Sequence, residues 1–218
     1  MKKTVNIAHR GGKCLAPENT IVGFREGRRV GADVLELEVH LTADEHLVLI
    51  HDDTVDRTTD GKGLIREKTL QEVKRLDAGY TFPGQGHKTY PYRGQGVVVP
   101  TLEEVYQEFP DVPTNAEIKE AQPGIEQALW QAIEEAEAAE RTLVVSGNMR
   151  IIRRFREVSD GKVATGPSLP EMLAFILCSH LYLSCPLRPS YQALQVWKGV
   201  GTLRIVQTAH RSDIRVDV

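Results

Sequence analysis

Cysteine is scarce in this 218-residue chain: Cys14, Cys178 and Cys185 are odd in number and not at metal-ligand spacing. That excludes a disulfide framework and a thiolate metal cluster, and it leads us to expect a reducing, cytoplasmic compartment. Long apolar runs are also missing. The most apolar stretch, Met172 to Cys178, is too short to cross a bilayer, so no transmembrane segment is expected. The start, MKKTVNIAHRGG, has two lysines but no apolar region behind them and does not read as a signal peptide. No charge of one sign dominates either. The formal charge is −3, with no long basic run, which argues against a nucleic-acid partner. What remains is a 41% hydrophobic chain, enough for one large core or two small ones.

Strand and helix patterns alternate through most of the chain. Strands are expected at Thr4–His9, Asp33–Leu41, Leu47–Ile50, Thr114–Ile118, Leu143–Ser146, Val163–Thr165, Leu181–Ser184 and Ile214–Val218. Helices are expected at Glu18–Gly31, Thr69–Leu76, Leu102–Phe109, Ile125–Glu140, Met149–Val158 and Pro170–Leu177. Repeated β-α units give either a doubly wound sheet or a (β/α)8 barrel. Residues 56 to 100 interrupt the rhythm with Gly, Asp, Thr and aromatics, as a functional insertion or small cap would.

The most informative stretch is Val34 to Arg57. Leu35, Leu37, Val39 and Leu41 point one way, and Val34, Glu36, Glu38 and His40 point the other. The run is short, rich in apolar residues and preceded by a helical pattern, which favours a buried parallel strand. Adjacent buried carboxylates repel and cost desolvation energy unless a cation compensates them. Side chains two apart on a strand start about 7 Å apart and can converge on one ion. The alternative is a strand face that simply meets water.

Four strand ends carry polar groups: His9-Arg10, Glu36 with Glu38, His51, and Asn115 with Glu117 and Lys119. In parallel α/β folds the strand C-terminal ends are where sites form. Glu36, Glu38 and Glu117 suit a hard cation, Mg²⁺ or Ca²⁺. His9 and His51 can divide acid and base work. Arg10 and Lys119 can hold a phosphate oxygen. Singly, each also fits a structural or solvated role.

Further motifs appear in a fixed order. They include His9-Arg10-Gly11, Pro17-Glu18-Asn19-Thr20, Gly31-Ala32-Asp33, Leu41-Thr42-Ala43-Asp44, His51-Asp52, Arg57-Thr58-Thr59, Pro100-Thr101-Leu102 and Glu117-Ile118-Lys119. With these the chain resembles the glycerophosphodiester phosphodiesterases, densely from residue 5 to 119. The resemblance implies a single domain over 1–218, a TIM-type (β/α)8 barrel with a small cap inserted at about 56–99. It implies metal-dependent hydrolysis of small glycerophosphodiesters to glycerol 3-phosphate and an alcohol, through a cyclic phosphate. By position, His9 and His51 match the acid/base pair and Glu36, Glu38 and Glu117 the ligands of one divalent cation. Arg10 and Lys119 match the phosphate contacts.

Three departures bear on that reading. Glu38 stands where the family usually has aspartate, a longer reach that a flexible Ca²⁺ shell tolerates better than a Mg²⁺ octahedron. Glu45 stands where the family has glycine, so the turn there is expected to avoid a glycine-only conformation. Finally, Ile214 to Val218 resembles the seventh strand, so the last strand-helix unit is expected to be lacking. A homo-oligomer covering the open barrel edge would follow from that. Two alternative functions stay open: a lysophospholipase D, with Tyr80, Phe82, Tyr90 and Tyr92 lining a groove, and a non-catalytic barrel scaffold.

Overall fold

A computed structural model describes residues 5–84, 88–180, 190–195, 209 and 214–217. Its elements follow the expected alternation. They are β1 (Ile7–Ala8), α1 (Ile21–Arg29), β2 (Val34–Leu41), β3 (Leu47–Leu49), α2 (Leu70–Val73), α3 (Leu102–Glu108) and β4 (Thr114–Ile118). Then come α4 (Ile125–Glu135), β5 (Thr142–Val145), α5 (Met149–Val158), β6 (Ala164–Thr165), α6 (Leu169–His180), β7 (Ala193–Gln195) and β8 (Arg215–Asp217). The strand read at Leu181–Ser184 lies outside the described residues. Ala193–Gln195 went unread as a strand because three residues are too few to display a period.

Local chemistry starts several helices. The Thr20 hydroxyl accepts from Gly23 N at 3.1 Å at the head of α1. At α3, Thr101 and Glu104 cap each other's backbone N–H groups, a reciprocal capping box. Thr69 and Glu72 repeat the device at α2.

The strand order decides between the two architectures. The sheet runs β1-β2-β4-β5-β6, every link parallel and in chain order. A doubly wound sheet reverses its order at a switch point, and this one winds in a single direction, as a barrel does. Gln192 N donates to Thr165 O at 3.0 Å, laying the chain before β7 beside β6, and β7 pairs in parallel with β8.

β3 departs from the parallel pattern. It pairs antiparallel with the end of β2, Val39 opposite Leu49 and Leu41 opposite Leu47. The chain therefore returns along β2, and Ile50 N donates to Glu38 O at 3.1 Å. His51 is thus delivered by a hairpin rather than by a barrel strand.

The turn of that hairpin contradicts the expectation for Glu45, which adopts φ +63 in the left-handed region. Thr42 N donates to His46 O and Glu45 N to Thr42 O, and these bonds hold the residue there despite its Cβ.

Leu35, Leu37, Val39 and Leu41 face the helices and join Phe24, Leu129, Ile133, Ile152 and Phe155 in the main core. The opposite face of β2 carries Glu36, Glu38 and His40. A second, smaller cluster forms where Val48 and Ile50 meet Val55, Ile65, Val73, Val97 and Val99 of the inserted stretch.

Candidate active site

The site begins where β1 stops. Arg10, Gly11 and Gly12 all take positive φ, of +52, +74 and +102. A Cβ on Gly11 would lie 2.5 Å from the ring of Phe24, so only glycine lets this turn rest on the core. The turn leaves His9 half exposed, with Nε2 3.6 Å from Glu36 Oε2. It also aims Arg10 N at the same carboxylate oxygen, at 2.9 Å.

Glu38 sits at the centre, its side chain 0% exposed. Oε2 accepts from Asn19 Nδ2 at 2.9 Å, while Glu38 N donates back to Asn19 Oδ1 at 3.3 Å. Oε1 faces three nitrogens: Lys119 Nζ at 3.3 Å, Arg10 Nε at 3.4 Å and His51 Nε2 at 3.6 Å. Although buried, it makes no aligned hydrogen bond. In the β2–β4 ladder, Glu117 lies opposite Glu38 and Asn115 opposite Glu36. Lys119 Nζ reaches Glu117 Oε2 at 2.7 Å and so bridges the two carboxylates.

An outer ring of charge supports this centre. Asp52 Oδ1 lies 2.5 Å from His51 Nδ1, and Asp52 Oδ2 accepts from Arg57 Nε at 2.6 Å. Arg57 Nη2 also donates to Glu18 Oε1 at 2.6 Å, and the same oxygen accepts from Arg10 Nη1 at 3.1 Å. A continuous chain of contacts therefore runs from His51 to Arg10. His40, buried beyond Glu38, places Nε2 3.3 Å from the His51 carbonyl.

The electrostatics follow from burial and neighbours. Burial, with repulsion from Glu38 and Glu117, holds the Glu36 carboxyl up at about 7. Burial and the positive charges of Lys13 and Arg10 lower His9. Burial opposes ionisation of Asp52, yet the Arg57 and His51 hydrogen bonds outweigh it and hold the carboxyl down at about 2. Lys119 is raised despite burial, because Glu117 and Glu38 flank it.

These contacts link the seven residues expected from the sequence, Glu117 reaching the others through Lys119. Glu36, Glu38 and His9 present ligand atoms within 4.8 Å of one another. Glu117 stands beside that group, held by Lys119. Asp52, Arg57, Glu18 and Asn19 were missed as site residues. Their signal lay in the motifs Pro17-Glu18-Asn19-Thr20, His51-Asp52 and Arg57-Thr58-Thr59, but only the folded chain shows what they touch.

The four insertion aromatics do not act together. Tyr80 and Tyr90 both stack on the Arg93 guanidinium, at 4.1 and 3.9 Å from their ring centroids. Phe82 and Tyr92 pack edge to face and line a cavity of about 800 Å³ between the insertion and the β1–α1 loop.

A singly wound β/α sheet with acidic and histidine side chains gathered at the strand C-terminal ends defines a barrel protein of the TIM type. The sequence model of the glycerophosphoryl diester phosphodiesterase family matches residues 9–163, and the chain belongs to that family. It is 44% identical over 162 residues to a glycerophosphodiester phosphodiesterase of Caldanaerobacter subterraneus. That match covers 72% of this chain, and the chain spans 63% of that relative's length. Among solved structures it resembles a glycerophosphoryl diester phosphodiesterase domain from Mycobacterium tuberculosis, at a TM-score of 0.81 and 21% identity. The overlap covers 100% of this chain and 96% of that one. It also resembles an Oleispira antarctica phosphodiesterase solved in complex with the product sn-glycerol-3-phosphate. There the TM-score is 0.71 at 26% identity, covering 97% of this chain and 82% of that one. These likenesses establish the TIM-barrel fold. Among the described residues, no helix is long and apolar enough to cross a membrane.

Proposed function

We propose that this chain hydrolyses glycerophosphodiesters to glycerol 3-phosphate and an alcohol, with a divalent cation and two histidines. The observation that carries the proposal is the convergence of His9, Glu36, Glu38 and His51 on one point at the mouth of the sheet. Family membership, the name of the Caldanaerobacter relative and the product bound to the Oleispira enzyme agree with it.

The donor set fits a hard cation. Glu38 Oε1 is buried and makes no aligned hydrogen bond, and carboxylates with one imidazole lie close enough to share an ion. Glu36, Glu38 and Glu117 would hold Mg²⁺ or Ca²⁺. Once bound, the ion supplies Lewis-acid polarisation of the phosphate and a lowered pKa for a substrate hydroxyl.

The chain's own groups account for the rest. Arg10 and Lys119 would hold the phosphate oxygens, the arginine as a fork and the lysine as a point charge. One imidazole of the His9–His51 pair takes the proton from the glycerol hydroxyl next to the phosphate. That oxygen attacks phosphorus, the bond to the alcohol breaks, and the other imidazole gives the departing oxygen its proton. Water then opens the cyclic phosphate with the proton roles reversed. Asp52 would fix the His51 ring through Nδ1, leaving Nε2 turned toward Glu38 and the substrate.

The test is glycerol 3-phosphate release from glycerophosphoethanolamine with Mg²⁺, with Ca²⁺ and with EDTA, beside His9→Ala and Glu117→Ala. Release that needs metal and disappears in both variants is expected. Release that persists in EDTA would overturn the metal role, and no release from this ester or from one with an uncharged alcohol, by folded, cation-loaded protein, would overturn the activity.

A further inference from the structure

The cavity between the insertion and the β1–α1 loop lies beside the site, with Glu18 and Arg57 in its lining. Leu15 and Pro17 from the β1–α1 loop and Phe82, Pro91 and Tyr92 from the insertion form its apolar wall, beside Thr58 and Thr81. Its acidic lining residue is Glu18, whose carboxylate is already taken by Arg57 at 2.6 Å and Arg10 at 3.1 Å. Two of its lining groups are cations. Arg57 is paired with Asp52 and Glu18, while Lys13 has no carboxylate partner among the described residues. The cavity is thus weakly positive and apolar, with no carboxylate left to receive a positive group. Glu36, Glu38 and Glu117, the groups able to satisfy glycerol hydroxyls, are not part of its lining. An apolar group gains contact area against Leu15, Pro17, Phe82, Pro91 and Tyr92.

Resting on the phosphodiesterase reading above, we infer that this cavity receives the alcohol half of the diester and selects it by charge. It accepts uncharged, apolar alcohols and disfavours cationic ones such as choline or ethanolamine. Lys13 is the specificity-determining charge, and Phe82 with Tyr92 is the apolar wall. The volume agrees, because about 800 Å³ is far more than a choline group fills.

The discriminating substrates are glycerophosphocholine and its neohexyl isostere, in which carbon replaces the choline nitrogen. Shape is matched and only the charge differs. The ratio of kcat/KM is expected to favour the neohexyl ester by about fivefold or more, the size of one partly screened like-charge contact. Lys13→Glu should bring the ratio to one or reverse it, and Lys13→Gln should fall between. Phe82→Ser should lower kcat/KM for the neohexyl ester more than for the ethyl ester. A ratio at or below one, or one unmoved by Lys13→Glu, overturns the inference while leaving the phosphodiesterase reading intact. No glycerol 3-phosphate from any of the three esters removes both.

Discussion

Asp52 Oδ1 lies 2.5 Å from His51 Nδ1, and the other oxygen of the same carboxylate is held by Arg57 at 2.6 Å. The carboxylate is anchored on the side away from the ring, so it fixes the imidazole plane rather than following it. Asp52→Asn keeps the shape and removes the charge. It is expected to lower kcat by at least tenfold and, because the charge paired with Arg57 is lost, to lower folding stability modestly as well. Steady-state kinetics beside urea unfolding would check this. An unchanged kcat would mean that the hairpin backbone alone orients His51.

Glu36 gives a pH prediction for the metal-free protein. Its folded-state carboxyl is raised from 4.5 to about 7, so the folded state holds a proton that the unfolded chain has lost. The favourable contribution is present in full below about pH 4.5 and is lost as pH rises through about 7. The loss is on the order of 3 kcal/mol. In EDTA, unfolding free energies across pH 5 to 8 should fall in the wild type relative to Glu36→Gln, whose amide cannot ionise. Parallel curves would show that Glu36 is not buried as described.

Gly11→Ala combines positive φ with a Cβ placed 2.5 Å from the Phe24 ring. We expect a loss of about 2–4 kcal/mol in stability, together with lost activity as His9 and Arg10 shift. Chemical denaturation would measure the first. A fully stable variant would mean that the turn can be rebuilt without a left-handed residue.

Glu45→Gly relieves strain at an exposed turn remote from the site chemistry. Its φ of +63 costs a non-glycine residue roughly 1 kcal/mol, partly offset by glycine's greater freedom in the unfolded chain. A gain of about 0.5 kcal/mol, seen as a Tm rise of a degree or two with kcat unchanged, is expected.

Much of this protein could be read locally. Alternation along Val34–Leu41 sends four apolar side chains to the core and Glu36, Glu38 and His40 to the opposite face, because strand side chains alternate whatever the strand pairs with. The caps Thr20, Thr69 and Thr101 act equally locally, their bonds reaching only three residues ahead, although apolar periodicity alone begins the first helix early, at Glu18. The seven proposed site residues were legible because charged groups at the ends of apolar strands stand out against burial.

Tertiary structure alone decided the rest. Single-direction winding, the antiparallel return of Leu47–Leu49 and the alignment of Glu117 with Glu38 depend on which strands meet, and strand pairing is a long-range choice that no window of sequence contains. The ring of Asp52, Arg57, Glu18 and Arg10 joins residues up to 47 positions apart in the chain, and their charges would look solvated one by one. The insertion aromatics make the same point. Tyr80 and Tyr90 hold Arg93 while Phe82 and Tyr92 line the cavity, a division that only packing against the β1–α1 loop determines.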